Sequence, residues 1–377
     1  MRTIKVCHMS SAHRGLDVRI FHKECCSLAN NSYEVALVIS ATNTEMAKAA
    51  SNNIKLIKLN PIEKRWKRIL FQNYRCYQEA LKTKSDIYHF HDPELIPFAL
   101  LLRLRGKLVI YDVHEDVPKD IMHKDWIPLF TRKVISKLTS LIEYITAKYC
   151  FEVITSTPFI LKRFEKANIK AICVNNFPLD SDIPREVSAN RDVDQVCYIG
   201  GINKQRGLEE IVISLAYVGD NVQLNLAGNF TEVGFEEKLN KLDSWGKVKA
   251  YGYVGREKIR EILSRSSAGL VTLHPTSTYI DSLPVKLFEY MAAGLPVIAS
   301  DFPLWREILD KHQCGILVNP ESPVEIAGAI KRLINDEDQA IRMGANGRQA
   351  VLDEYNWANE EKKLIRLYEE LTATCNF

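Results

Sequence analysis

Residues 281–300 read as a helix followed directly by a strand. Pro284 suits the first turn of a helix, where its missing N–H costs nothing, and Gly294 suits the left-handed position just past a helix end. Leu287, Phe288, Met291 and Ala292 share one apolar face, which leaves Lys286 and Glu289 together on another. Residues 269–273 upstream and 295–300 downstream read as short buried strands, so the stretch is a strand-helix-strand unit of a parallel sheet. Ligands of such sheets bind beyond the carboxyl ends of the strands, where Asp281, Ser282 and Lys286 fall. The same spacing also fits a helix carrying a solvated Lys/Glu pair.

The rest of the chain alternates in the same way. Strands are expected near residues 3–9, 34–40, 86–90, 107–112 and 151–156, with a loop at 10–16 and a helix capped by Asp17 running to about Ala29. Strands separated by helical stretches make a doubly wound α/β sheet. The Pro-, Asn- and Asp-rich residues 175–184 break the alternation, and a second one begins near Gln195. A chain of 377 residues, 46% hydrophobic and 26% charged, has room for two cores. The expected domains are therefore 1–176 and 183–356.

Net charge of +3 is too mild to argue for nucleic acid as a partner. The nine cysteines are odd in number, scattered through apolar segments, and include no CxxC. With no secretory leader in the opening residues, they point to a reducing, cytoplasmic setting. No apolar run is long enough to span a bilayer. Residues 61–75 interleave basic side chains with Trp66, Ile69, Leu70 and Tyr74 at helical spacing, which fits either a helix on an anionic membrane surface or one packed on the sheet.

Several groups carry chemistry. His89 and His91 alternate on one strand with Asp92 beside them, but a metal needs three or four ligands, and the other histidines offer no second strand-end pair. Asp92 and Pro93 read better as a helix cap and first turn, and His91 as structural. Asp180/Asp182 and Asp192/Asp194 are acidic pairs in the linker region, where turn residues are expected, so no metal is assigned. The stretch from Tyr198 to Glu209 is a strand, a glycine turn at Gly200 and Gly201, and a helix opening that holds Arg206. Backbone N–H groups and a nearby cation at such a turn suit a diphosphate, and Lys286 offers a second positive charge. The loop after the first strand holds only Gly15, and no GxGxxG follows that strand, which argues against a dehydrogenase.

The run from Asp281 through Glu289 to Ile298, two acids separated by seven residues, resembles the donor-site signature of family 4 retaining glycosyltransferases. In that signature the first acid is usually Glu, and here it is the shorter Asp281. The resemblance extends to residues 10–21 around Gly15, a loop that faces the cleft in a subgroup of the family, and to the glycine turn. At that turn Gly201 stands where relatives have Arg, and Arg206 where they have Lys. It implies the GT-B fold: two Rossmann-like doubly wound domains facing a central cleft, the first binding acceptor and the second the nucleotide-sugar donor, with the last helix, 357–377, crossing back. It also implies roles: Glu289 on the ribose, Asp281 with the N–H groups of Ser282 and Leu283 on the transferring sugar, and His114 on the same sugar. Tyr253 and Val254 would hold the base, with Gly15, Gly200, Gly201, Arg206 and Lys286 around the diphosphate. The activity implied is metal-independent retaining transfer from a nucleotide-diphosphate sugar to a glycan or lipid-linked acceptor, in bacterial cell-surface polysaccharide synthesis. It would take place in the cytoplasm or at the inner face of the membrane. A nucleotide-sugar epimerase of the same architecture, or a non-catalytic sugar-nucleotide or glycan-binding protein, would carry many of the same features.

Overall fold

The computed structural model describes residues 2–62, 64, 67–122, 127–149, 151–184 and 191–374. Glu63, Arg65 and Trp66 of the basic and aromatic stretch lie outside the described residues. The chain divides into two compact units, Met1–Asn176 with Trp357–Phe377, and Phe177–Asn356.

The first unit holds seven parallel strands: β1 (Lys5–Arg14), β2 (Glu34–Ser40), β3 (Ile54–Leu59), β4 (Ile87–Phe90), β5 (Leu108–Val113), β6 (Glu152–Thr155) and β7 (Ala171–Cys173). Their order is β3-β2-β1-β4-β5-β6-β7. The second unit holds six: β8 (Gln195–Ile199), β9 (Gln223–Ala227), β10 (Val248–Gly252), β11 (Ala268–Val271), β12 (Val297–Ser300) and β13 (Gly315–Val318), in the order β10-β9-β8-β11-β12-β13. Central strands such as β2 and β12 are apolar and buried on both faces, as helices covering both sides of a parallel sheet require. In each sheet the order in which strands are added reverses once, between β1 and β4 and between β8 and β11. At such switch points a crevice opens beyond the strand ends.

Three local outcomes differ from the sequence reading. The first strand does not stop at Met9 but resumes after an irregularity, pairing Arg14 with Ser40, so the expected loop at 10–14 is strand. The helix after Asp17 begins as a wide π-type turn, Val18–Cys25, whose extra residue per turn buries Arg19, Lys23 and Glu24 together. Asp17 does cap it, accepting from the N–H groups of Arg19 and Ile20 at 2.9 Å each. Pro284 stands at the cap of the helix Val285–Ala292 rather than inside its first turn, and Gly294 takes the left-handed position (φ 69°) just past its end.

The last helix, Trp357–Thr374, belongs to the first unit. Trp357 donates its indole N–H to Ser27 Oγ at 2.9 Å, and Glu360 accepts the Asn175 N–H at 2.8 Å.

Candidate active site

In the second unit, the site grows from the turn after β8. Gly200 has φ 131°, a conformation other residues rarely adopt, and a Cβ there would lie 3.0 Å from Lys286 Nζ. Gly228, at the end of the neighbouring β9, presses still closer: a Cβ on it would stand 1.8 Å from the Gly200 carbonyl oxygen. Two glycines therefore let the backbone close on itself at one end of the sheet, beside two cations.

Those cations are Lys286 and Arg206. The Lys286 side chain is buried, its Nζ 3.7 Å from the centre of the Tyr198 ring, and it has no hydrogen-bond partner among the described residues. The solvated Lys/Glu pair that the spacing also allowed is thus not formed on the lysine side. Burial pushes the Lys286 ammonium well below its ordinary value, Arg206 pushes the same way, and Glu289 opposes them. Arg206 is half-buried, fixed through its own N–H to Asn203 Oδ1 at 3.0 Å and by interactions with Tyr198 and Tyr279. A cation held in an apolar wall without an acceptor is costly unless an anion joins it. The pair sets two basic side chains side by side at a strand end, Lys286 with no acceptor among the described residues.

Around it, Asp281, Ser282 and Leu283 form the half-buried approach to the helix Val285–Ala292. Trp305 Nε1 donates to the Ser282 carbonyl at 2.7 Å, and Ser282 Oγ donates to the Tyr279 carbonyl at 2.9 Å, so this loop is fixed to the core. Glu289 lies one turn along from Lys286. Tyr253 is 80% exposed and Val254 packs against the core cluster.

In the first unit, a second group of polar side chains gathers beyond β1, β4 and β5. His114 Nε2 lies 2.6 Å from Asp112 Oδ2, and His91 Nδ1 lies 3.1 Å from the same oxygen. Arg19 grips Asp112 with two donated bonds, at 2.9 and 2.7 Å. Burial alone would raise the Asp112 carboxyl, but Arg19, His114 and His91 hold it well below the usual carboxylate range. Asp92, expected as a helix cap, makes no such bond. Its Oδ2 instead accepts from the N–H of Ser11 at 2.6 Å and of Ala12 at 3.1 Å, and from Ser10 Oγ at 2.9 Å. His13 Nδ1 lies 3.2 Å from Asp92 Oδ1, and this pairing outweighs burial to raise the imidazole.

A cavity of about 570 Å³ opens here, its lining including the polar His13, His91, Asp92 and His114 and the apolar Ile121 and Ile135. Gly15 sits apart from its lining. Its φ is 43° and a Cβ would collide with the Glu45 carboxylate, so its observed work is the turn itself.

The structure thus brings Gly200, Gly201, Arg206 and Lys286 together in one unit and His114 into a network in the other. Sequence reasoning missed the His13–Asp92 pair and the Arg19–Asp112 bridge. It also missed that His8 and Glu24 join the His89/His91 pair, all four offering ligand atoms within 4.8 Å of one another. What brings them together is the sheet: His8 lies in β1 and pairs in register with His89 in β4. Of the linker acids, Asp182 has other work, its Oδ1 pairing with Arg256 Nη1 at 2.5 Å.

A profile of the family described as "Glycosyl transferases group 1" matches residues 180–350. Alpha-maltose-1-phosphate synthase of Mycolicibacterium smegmatis is 24% identical over 207 residues, 52% of this chain and 52% of that protein. The match thus spans about half the length of that relative. Sucrose-phosphate synthase from Thermosynechococcus elongatus superposes with a TM-score of 0.75 at 17% identity, covering 99% of this chain and 100% of that one. The HepE protein of Anabaena, solved in complex with UDP-glucose, superposes with a TM-score of 0.72 at 14% identity, covering 97% and 100%. At these identities the likeness is one of fold, and the fold is GT-B.

Proposed function

We propose that this chain, whose residues 180–350 match the model of the group 1 glycosyl transferases, moves a sugar from a nucleotide-diphosphate donor to a glycan or lipid-linked acceptor. The anomeric configuration is retained, as in the family 4 enzymes, and the setting is cell-surface polysaccharide synthesis. One observation carries the reading: Lys286, buried against Tyr198 without an acceptor, beside Arg206 and the Gly200–Gly201 turn. That is a site for the leaving diphosphate.

Transfer then proceeds by electrostatics. As the bond from sugar to diphosphate breaks, negative charge grows on the phosphate and positive charge on the sugar. Lys286 and Arg206 stabilise the first, so no divalent ion is needed at this site. Asp281, with the N–H groups of Ser282 and Leu283, holds the second. Glu289 accepts from the ribose hydroxyls, while Tyr253 and Val254 bound the base. No carboxylate nucleophile is required, and the acceptor attacks the face the phosphate leaves.

The acceptor binds in the first unit, in the cavity lined by His13, Asp92 and His114. A lipid-linked acceptor is favoured by the neighbouring helix Leu129–Tyr149. Phe130, Val134, Leu138, Leu141 and Ile145 make one exposed apolar stripe on it, with Lys133, Lys137 and Lys148 along its flank. Ile135 of the same helix lines the cavity. No helix of the described residues is long and apolar enough to cross a membrane, and a stripe of this kind suits lying on an anionic one. Incubating the chain with a panel of nucleotide sugars, lipid-linked acceptors and anionic vesicles, with and without Mg²⁺ or Mn²⁺, tests the proposal. Nucleoside diphosphate release that needs an acceptor and ignores the added ions is expected. Release only with added metal overturns the site chemistry, and donor converted to its epimer without acceptor favours the epimerase.

A further inference from the structure

We propose that His8, Glu24, His89 and His91 form a structural site for one divalent transition-metal ion of the zinc class, buried inside the first unit. The four side chains are 0 to 2% exposed and come from three elements: His8 from β1, His89 and His91 from β4 and the position just past it, and Glu24 from the π-type turn. Glu24 Oε2 lies 3.9 Å from His8 Nδ1, 3.9 Å from His89 Nε2 and 4.0 Å from His91 Nε2. His8 Nδ1 and His91 Nε2 are 3.0 Å apart. Tetrahedral zinc, with bonds of about 2.0–2.1 Å to nitrogen and oxygen, separates its ligand atoms by roughly 3.3–3.4 Å. The three separations from Glu24 exceed that spacing and the His8–His91 one falls short of it, so the side chains would draw in around an ion.

The orientation of the rings points the same way. His91 turns Nδ1 to Asp112 Oδ2 at 3.1 Å, and His89 turns Nδ1 to the Tyr368 hydroxyl at 2.8 Å. Each outer nitrogen is thus held by a second group while Nε2 faces the centre, the arrangement that fixes a metal-binding tautomer. His89 Nε2 and both Glu24 oxygens have no hydrogen-bond partner among the described residues. Arg19 Nε approaches Glu24 Oε1 to 3.1 Å, but its donated bonds go to Asp112 and to the Val174 carbonyl, and Oε2 is left facing the imidazoles. Arg19 is the cation at Oε1, whereas Oε2 faces three imidazoles, and a nitrogen-rich set with one oxygen suits zinc better than magnesium or calcium. The site is separate from the Lys286–Arg206 anion site of the other unit, and it does not depend on the proposed transfer.

The test is metal content by mass spectrometry of the full chain, purified without a histidine tag, together with the visible spectrum after reconstitution with Co²⁺. The expected result is about one equivalent of metal per chain and the intense absorption of tetrahedral cobalt. A zinc-dependent rise in melting temperature should accompany them. Glu24→Gln and His89→Gln should lose all three, whereas His114→Gln should keep them, because His91, Asp112 and His114 form a rival cluster. If either buried variant fails to fold, wild-type content and spectrum still decide. A folded wild-type chain that takes up neither zinc nor cobalt overturns the proposal and leaves a hydrogen-bonded interior. Retention in Glu24→Gln with loss in His114→Gln also overturns it.

Discussion

Replacing Lys286 with Met keeps a chain of similar length against the Tyr198 ring while removing the ammonium. In the free protein this charge is buried, meets no hydrogen-bond acceptor among the described residues, and stands near Arg206. Lys286→Met should therefore melt no lower than wild type. Linkage gives the direction with pH. Burial places the Lys286 pKa in the folded protein below its ordinary 10.5. Between those two values the unfolded chain binds more protons, and wild-type stability rises with pH. Any advantage of the variant should shrink as pH climbs toward 10.5. Binding behaves oppositely. A charged hydrogen bond to a phosphate oxygen contributes about 1.5–3 kcal/mol, so affinity for UDP or GDP should fall about 10- to 150-fold. Calorimetric titration in buffers of different ionisation enthalpy should show proton uptake by wild type and less by the variant. Unchanged affinity, or a variant that is destabilised and binds normally, would refute Lys286 as part of the diphosphate site.

Glu289→Ala should weaken free nucleoside diphosphate by about 1.5–3 kcal/mol in the same titration, whereas Asp281→Ala should leave that affinity nearly intact and slow transfer, because its partner is the reacting sugar. Unchanged turnover in Asp281→Ala removes that role. Gly228→Ala places a Cβ 1.8 Å from the Gly200 carbonyl at φ 150° and should cost more than about 2 kcal/mol, read as a lower denaturation midpoint and weaker nucleotide binding. His13→Gln tests the Asp92 pair. The folded His13 pKa is raised above 6.5, so its contribution is full below 6.5 and is lost as pH rises through the folded value. The substitution should cost more stability at pH 6 than at pH 9, and equal cost at both would sink the pairing.

The fold was legible because the chain repeats one local pattern, and the 281–300 unit shows why. Its apolar face, Gly294 stop and following strand depend only on neighbours in sequence. Lys286 does not: spacing allowed a solvated side chain, and what buries it is Tyr198, brought alongside by the sheet order. The same limit hid the interior of the first unit. His8 meets His89 only once β1 lies beside β4, and Glu24 joins them because the turn after Asp17 is wound as a π-helix, which no periodicity signals. Asp92 matched a cap by residue type, yet the continuation of β1 past Met9 supplied better donors, from Ser10, Ser11 and Ala12. The helix Leu129–Tyr149 illustrates a further ambiguity. Its periodicity shows an apolar stripe, but only the packing reveals that the stripe faces outward while Arg132, Glu143 and Thr146 are buried.

The proposed transfer is tested most directly by the anomeric configuration of its product. With a donor that releases nucleoside diphosphate in the presence of acceptor, proton NMR of the purified product should show the new linkage in the α configuration of the donor sugar. Product formation should fall sharply in Lys286→Met. A β-linked product, or no acceptor-dependent release across the donor panel from a folded chain that binds nucleoside diphosphate, would contradict retaining glycosyl transfer.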